Sequence, residues 1–200
     1  MKAKFEYEDP KYLGRGVKFI DLPESEVQQN TSEEPISQKP QKSSLKIIVD
    51  TREQDSLSFE GFRGVESVRS GLKTGDYSVQ GYEDQICFER KSVADLVGTL
   101  IGGHERFLRE MDRMKDYEEK YILVEHTASK VYLYCERHGW EYKFDTIIQS
   151  LLAYAYHYRV RVKFCKNRED MTEYIVKKSR EYVKRKEMEE SLCQPQSTKS

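Results

Sequence analysis

Two residues of opposite charge lie two positions apart near the middle of the chain, in the tripeptide Glu89-Arg90-Lys91. Side chains alternate between the two faces of a β-strand, so a strand over 86–91 directs Glu89 and Lys91 toward one spot and Arg90 away from it. A hairpin that brings Asp76 alongside adds a second carboxylate. Two carboxylates beside an ammonium are suited to holding Mg²⁺ and a neighbouring water. The spacing therefore predicts a site for phosphodiester hydrolysis.

Apolar spacing predicts the strands and helices around this tripeptide. Alternating or continuous apolar runs predict strands over 45–49, 64–69, 77–80, 85–91, 121–124 and 160–164. Apolar residues three and four positions apart predict helices that begin near Val93, Phe107, Phe144 and Asn167. The early strands follow one another as hairpins, whereas the later strands alternate with helices. This order predicts a three-layer α/β/α domain with a mixed central sheet.

Composition divides the chain into three parts. Residues 22–44 are rich in Glu, Gln, Ser, Pro and Lys and contain few large apolar residues. Such a segment cannot bury enough apolar surface to offset the entropy of ordering. We therefore expect a flexible N-terminal segment and linker over 1–45, a folded domain over 46–187 and a disordered tail over 188–200. The aromatic residues before the linker could serve a protein partner.

The bulk composition limits where the protein acts. The formal net charge is −1 over 200 residues, so a DNA-binding face has to be a local patch. The four cysteines form no C-x-x-C pair, which favours reduced thiols. No stretch approaches the roughly 18 apolar residues of a membrane span. We expect an intracellular protein without membrane contact, cytoplasmic in a bacterium or virus and nuclear in a eukaryote.

Three segments of the chain resemble one nuclease family. They are Ile48-Val49-Asp50-Thr51-Arg52-Glu53, Thr74-Gly75-Asp76-Tyr77 and Glu89-Arg90-Lys91-Ser92-Val93-Ala94-Asp95. The nuclease domain of the XPF-type structure-specific endonucleases, the ERCC family, has the signature G-D, a spacer, then E-R-K-x-x-x-D, and this sequence matches every fixed letter. The resemblance covers about residues 46–164. It implies the restriction-endonuclease-like fold, which agrees with the predicted three-layer domain.

The resemblance also implies a metal-dependent DNA endonuclease. Asp76 and Glu89 are expected to hold Mg²⁺, for which Mn²⁺ can substitute, with Asp50 as a further ligand or as a residue that positions the ligands. Lys91 is expected to orient the attacking water or to help deprotonate it. The candidate catalytic residues are therefore Asp50, Asp76, Glu89 and Lys91.

Charged residues around the four candidates are given supporting roles. Arg90, on the opposite face of the strand, is expected to form a buried ion pair with Asp95 or Glu53. Phosphates of the DNA backbone are expected to bind three arginines, Arg52, Arg106 and Arg109.

Ordinary structural roles stay open for the same residues. Glu89 and Lys91 could be a solvated pair on an edge strand, and Asp76 after a glycine is a common turn residue. Asp95 lies three residues after Ser92, a spacing typical of the first turn of a helix.

Other functions of the same fold stay open as well. One is a non-catalytic DNA-binding scaffold subunit, although such relatives normally lose the metal carboxylates that this sequence keeps. Another is a sequence-specific restriction enzyme. Members of the family usually carry a tandem helix-hairpin-helix module after the nuclease domain, and this sequence has no segment that fits it. Cleavage of branched or flap DNA in repair or recombination is therefore expected from the resemblance of the nuclease domain alone. A homodimer or heterodimer through the nuclease domain is expected from the apolar helix over 144–158.

Overall fold

The computed structural model describes residues 44–193. The strands in this range are Leu45–Asp50 (β1), Val65–Ser70 (β2), Tyr77–Val79 (β3), Ile86–Lys91 (β4), Glu119–Glu125 (β5) and Arg161–Cys165 (β6). The α-helices are Val93–Gly102 (α1), His104–Met114 (α2), Ala128–Arg137 (α3), Phe144–Tyr158 (α4) and Arg168–Cys193 (α5), with a 3₁₀ turn at Glu141–Lys143. Every strand predicted from apolar spacing is present.

The strands form one mixed sheet in the order β2-β1-β3-β4-β5-β6. Strand β3 is antiparallel to both β1 and β4, whereas β4, β5 and β6 run parallel to one another. The expectation that the first strands form hairpins is wrong for β1 and β2, which are parallel. The segment 51–64 carries the chain back to the start of β1 before β2 begins, and Leu57 and Phe59 anchor this segment in the core.

Helices cover both faces of the sheet, so the predicted three-layer arrangement is confirmed. Helices α1 to α4 pack on one face around a core that includes Cys87, and α5 packs on the other face around a core that includes Ile86 and Phe88. Because side chains alternate along β4, Glu89 and Lys91 share the face of Cys87. Arg90 points into the layer that contains α5.

Helix α3 was not predicted. Its buried stripe consists of Ala128, Val131 and Cys135, and it begins after Thr127, whose side chain forms no capping hydrogen bond. Three small or medium apolar residues in ten positions give a weak helical period, so this helix is stabilised by packing against α1 and α4 rather than by local signals.

Helix α5 continues to Cys193, so residues 188–193 are helical where a disordered tail was predicted. Ion pairs one turn apart extend this helix, since Glu189 lies 3.8 Å from Arg185 and 3.7 Å from Lys186. The predictions for residues 1–43 and 194–200 lie outside the described residues.

The structure also gives the state of three cysteines and a test for membrane-spanning helices. Cys87, Cys135 and Cys165 are buried free thiols. Within residues 44–193, no helix has the length and apolarity needed to cross a membrane.

The turn into β3 depends on Gly75. Its φ is +80°, and a Cβ atom added there would lie 3.1 Å from the Phe88 carbonyl oxygen and from the Cys87 Cβ. We expect Gly75→Ala to lower the free energy of unfolding by roughly 1–3 kcal/mol, because both the backbone angle and the close contact disfavour a side chain. Urea denaturation checks this value.

The matched control is Gly98→Ala. Gly98 lies in the middle of α1 with open space where a Cβ would sit, so alanine should stabilise the protein by up to about 1 kcal/mol. Equal effects of the two substitutions would contradict the role assigned to Gly75.

Candidate active site

Glu89 and Lys91 lie side by side at the end of β4. The Lys91 Nζ atom donates a hydrogen bond to Glu89 Oε1 at 3.0 Å. Only 8% of the Lys91 side chain and 13% of the Glu89 side chain are exposed. β4 lies between β3 and β5 in the sheet, so the reading of these residues as a solvated pair on an edge strand does not apply.

Asp76 is held next to this pair by main-chain hydrogen bonds. Its N–H donates to the Phe88 carbonyl at 2.8 Å, and the Arg90 N–H donates to Asp76 Oδ2 at 2.8 Å. The Asp76 carbonyl accepts from the Asp50 N–H at 2.8 Å. The carboxylate of Asp76 is therefore attached to β4, and it contributes to the electrostatic environment of Glu89.

Glu110 completes the cluster, and the sequence interpretation missed it. This residue of α2 is buried and accepts hydrogen bonds from Lys91 Nζ with both carboxylate oxygens, at 2.7 and 2.9 Å. The sequence feature that could have identified Glu110 is its position on the buried face of α2, together with Phe107, Met111 and Met114. A charged residue in an apolar stripe needs a buried partner, and here the partner is Lys91.

Asp50 lies at the end of β1 with both carboxylate oxygens already engaged. Oδ1 accepts from the Arg52 N–H and from Arg52 Nε, while Oδ2 accepts from Arg52 Nη2 and from the Leu72 N–H. Burial alone would raise the pKa of Asp50, but the hydrogen bonds from Arg52 and Leu72 lower it. In this arrangement Asp50 anchors Arg52.

Arg90 forms an ion-pair network on the opposite face of the sheet. Its Nη2 lies 3.0 Å from Glu53 Oε1, and its Nη1 forms a short contact with Glu125 at the end of β5. Of the two partners expected from the sequence, Glu53 contacts Arg90 and Asp95 does not. Asp95 lies in the first turn of α1, where its N–H donates to the Ser92 hydroxyl at 3.1 Å.

The three arginines expected to bind phosphate are exposed. Arg52 exposes 70% of its side chain, and electrostatic contributions from Asp76 and Glu89 reach it, so it lies close to the carboxylates. Arg106 and Arg109 lie on α2, the helix that also carries Glu110. Arg109 forms a weak ion pair with Glu105 at 3.6 Å.

The pKa values of the carboxylates in the cluster depend on burial and on one another. Burial raises the pKa of Asp76 to about 6, with a further contribution from Glu53. Burial also raises the pKa of Glu89 well above its usual range, and a hydrogen bond with Glu110 adds to this shift. For Glu110, burial acts in the same direction but is outweighed by Glu89 and Lys91, so its pKa is lowered. Together, three carboxylates face the one ammonium of Lys91.

The donor set fits a divalent cation of the Mg²⁺ type. Asp76 Oδ1 receives none of the hydrogen bonds found among the described residues, and the negative charge of Asp76 disfavours the charged form of the largely buried Glu89. Within residues 44–193, no three His, Cys, Asp or Glu side chains form a ready-made cage. Mg²⁺ usually takes one or two carboxylates from the protein and completes its shell with water and phosphate oxygens.

The mixed sheet between two helical layers, with Asp76, Glu89 and Lys91 gathered at the end of β4, defines a three-layer α/β/α domain with a charged site at the end of an inner strand. The sequence pattern of the ERCC4 domain matches residues 49–178, which include all of these residues. The chain belongs to the ERCC4 domain family, and residues 49–178 are an XPF-type nuclease domain. The resemblance stated from the sequence is therefore confirmed.

Individual relatives agree with this assignment. The chain is 27% identical over 158 residues to the DNA repair endonuclease XPF of Mus musculus, a match that covers 76% of this chain and 16% of the relative. The structure of XPF from Aeropyrum pernix has a TM-score of 0.57 at 22% identity, covering 74% of this chain and 69% of that one. The same protein in complex with DNA has a TM-score of 0.54 at 21% identity, covering 70% and 66%. The two structures support the fold.

The raised pKa of Asp76 predicts how stability depends on pH in the absence of metal. Because the folded protein raises this pKa from 3.8 to about 6, it holds a proton that the unfolded chain releases. The free energy of unfolding should therefore fall as the pH rises through this window, and Glu89 should extend the fall to higher pH. Asp76→Asn should reduce the fall and stabilise the metal-free protein at neutral pH by about 1–2 kcal/mol.

Urea denaturation in EDTA between about pH 4 and pH 8 tests this prediction. The control is Asp112→Asn, an exposed carboxylate of α2 outside the cluster. Parallel pH curves for the wild-type protein and Asp76→Asn would rule out the assigned effect.

Proposed function

We propose that this ERCC4 domain is a Mg²⁺-dependent DNA endonuclease that also accepts Mn²⁺. The observation that carries the proposal is the convergence of Asp76, Glu89 and Lys91 at one end of β4. In support, the mouse relative is named a DNA repair endonuclease, and one structural neighbour is a complex with DNA. The proposed substrate is DNA, in branched or flap form, in repair or recombination.

Asp76 and Glu89 are the proposed metal ligands. The Arg90 N–H fixes one oxygen of Asp76 near the end of β4, and the charge of Asp76 acts on Glu89. A bound Mg²⁺ supplies stabilisation of charge on the phosphate oxygens and activation of a water. Asp50 has both oxygens engaged by Arg52 and Leu72, so we assign it to positioning Arg52 beside the ligands.

Lys91 acts as a cation in this proposal. Burial alone would lower the pKa of Lys91, but Glu89 and Glu110 raise it, so the side chain is an ammonium at neutral pH. An ammonium donates hydrogen bonds and cannot accept a proton. We therefore assign Lys91 to orienting the attacking water or the phosphate rather than to deprotonating the water.

A catalytic role is favoured over a scaffold role by the completeness of the cluster. Both proposed ligands and the lysine are present and packed together in the folded domain. Keeping several like charges half-buried in one place opposes folding. A scaffold would gain nothing from that cost.

The side of the domain that carries α4 is the proposed place for a second subunit. Tyr142, in the turn before α4, and Tyr156 expose 71% and 70% of their surface. Exposed aromatic residues of this kind are common at protein interfaces. The second subunit could be a copy of this chain or a related one.

The central test removes the proposed ligands one at a time. Asp76→Asn and Glu89→Gln should lower DNA cleavage by roughly 10³-fold or more, because each variant loses a metal-binding charge at nearly constant shape. DNA binding measured in EDTA should change little. Labelled single-stranded, duplex, flap and four-way-junction DNA, each incubated with Mg²⁺, Mn²⁺ or EDTA, provide the assay.

The control for this test is Asp112→Asn, which should cleave as the wild-type protein does. Full Mg²⁺-dependent nicking by Glu89→Gln would refute the metal site. Binding without cleavage of any substrate by the wild-type protein would favour the scaffold role.

The exposed arginines predict a salt-dependent contribution to DNA binding. Arg52→Ala, Arg106→Ala and Arg109→Ala should each weaken binding, and each should reduce the slope of log affinity against log salt by about 0.9 per lost phosphate contact on duplex DNA. Fluorescence anisotropy at several salt concentrations measures this slope. Lys184→Ala removes the same charge from α5, in the opposite helical layer, and should leave the slope unchanged. An unchanged slope in all three arginine variants would show that these arginines do not contact DNA phosphates.

A further inference from the structure

The Lys91 ammonium is shared unequally between two glutamates. Of its three hydrogen bonds, one goes to Glu89 Oε1 at 3.0 Å and two go to the oxygens of Glu110, at 2.7 and 2.9 Å. An ammonium has three protons to donate, so these contacts use all of them. Glu110 therefore holds Lys91 more closely than its neighbour on the same strand does.

Helix α2 fixes the position of Glu110 relative to Lys91. Phe107, Met111 and Met114 on the same stripe are fully buried, so the helix is fixed against the core of the domain. The Glu110 side chain itself is 7% exposed and has little space for another rotamer. Lysine has a long flexible side chain that needs such a partner to occupy one position.

Glu89 is a weaker partner for Lys91 while it ligates a metal. When its oxygens bind a cation, they are no longer fully available to Lys91, and the ammonium is repelled by the same cation. Glu110 is then the partner that keeps Lys91 in place. The two glutamates thus divide two tasks that compete for the oxygens of a single carboxylate.

We propose that Glu110 is a positioning residue, whose two-oxygen contact holds the Lys91 ammonium in the active site while Glu89 serves the metal. The proposal rests on the proposed nuclease function. Glu110 acts through Lys91 in this view. It is not assigned as a metal ligand.

A double-mutant cycle tests this role with four proteins: wild type, Glu110→Gln, Lys91→Met and the double variant. Glu110→Gln should lower the single-turnover nicking rate by roughly 10–100-fold while the KM for DNA stays within about twofold, because a displaced reacting group loses rate rather than binding. In the Lys91→Met background, Glu110→Gln should cause no further loss. Glu110→Asp, which keeps the charge on a shorter side chain, should recover part of the rate.

Two readouts do not require cleavage. Mn²⁺ affinity, measured by electron paramagnetic resonance, should fall much less in Glu110→Gln than in Glu89→Gln. The ¹⁵N signal of the Lys91 ammonium should stay sharp when diamagnetic Mg²⁺ is added to the wild-type protein. It should broaden or shift when Mg²⁺ is added to Glu110→Gln. Asp112→Asn on the same helix is the control and should match the wild type in every assay.

The outcomes separate the positioning role from its alternatives. Equal further losses from Glu110→Gln with and without Lys91 would show an independent role and overturn the proposal. A loss of Mn²⁺ affinity as large as that of Glu89→Gln would make Glu110 a ligand and would also overturn it. A lower melting temperature with unchanged nicking would leave Glu110 as a purely structural counter-ion. Failure of the wild-type protein to nick any DNA refutes the proposed function instead, and is thereby distinguishable from a defect confined to Glu110→Gln.

Discussion

The candidate active site depends on the antiparallel contact between β3 and β4 and on Gly75 and Asp76, which lead into β3. The contact includes the facing residues Tyr77 and Phe88 and hydrogen bonds that join Asp76 to the main chain of β4 at both its N–H and its carboxylate. These hydrogen bonds place the Asp76 carboxylate near the end of β4, where its charge acts on Glu89. Because Gly75 packs directly on Phe88, the position of Asp76 follows from main-chain geometry.

Placing these charges together opposes folding. Burial raises the pKa values of Asp76 and Glu89, with smaller contributions from Glu53 to Asp76 and from Glu110 and Asp76 to Glu89, so the folded domain disfavours their charged forms. Lys91 relieves part of the repulsion, and Glu110 is in turn neutralised by Lys91. The cluster therefore keeps an excess of negative charge, which a divalent cation can compensate. Such local conflict between stability and charge placement is typical of functional sites.

The sequence predicted most of the fold because strands with alternating or continuous apolar residues have strong local signals. It also placed Glu89 and Lys91 correctly on one face, since alternation needs no knowledge of the tertiary structure. Glu110 was missed because its contact with Lys91 joins a strand to a helix across 19 positions, and no local pattern names the partner. The parallel pairing of β1 and β2 was missed for a similar reason: the loop that carries the chain back is held by burial of Leu57 and Phe59 rather than by turn residues.

Arg90 contributes to the site twice, through its N–H, which binds Asp76, and through its side chain on the opposite face of β4. Its side chain joins the loop after β1, through Glu53, to the end of β5, through Glu125. Arg168 at the start of α5 binds Asp55 at 2.7 Å and approaches Glu125 at 3.4 Å, so the same network extends into the second helical layer. The end of β4 is thus held from both faces, by Glu110 through Lys91 on one and by Arg90 on the other. The position of Glu89 therefore also depends on residues of the α5 layer, although their side chains lie on the opposite face of the sheet from Glu89, Lys91 and Glu110.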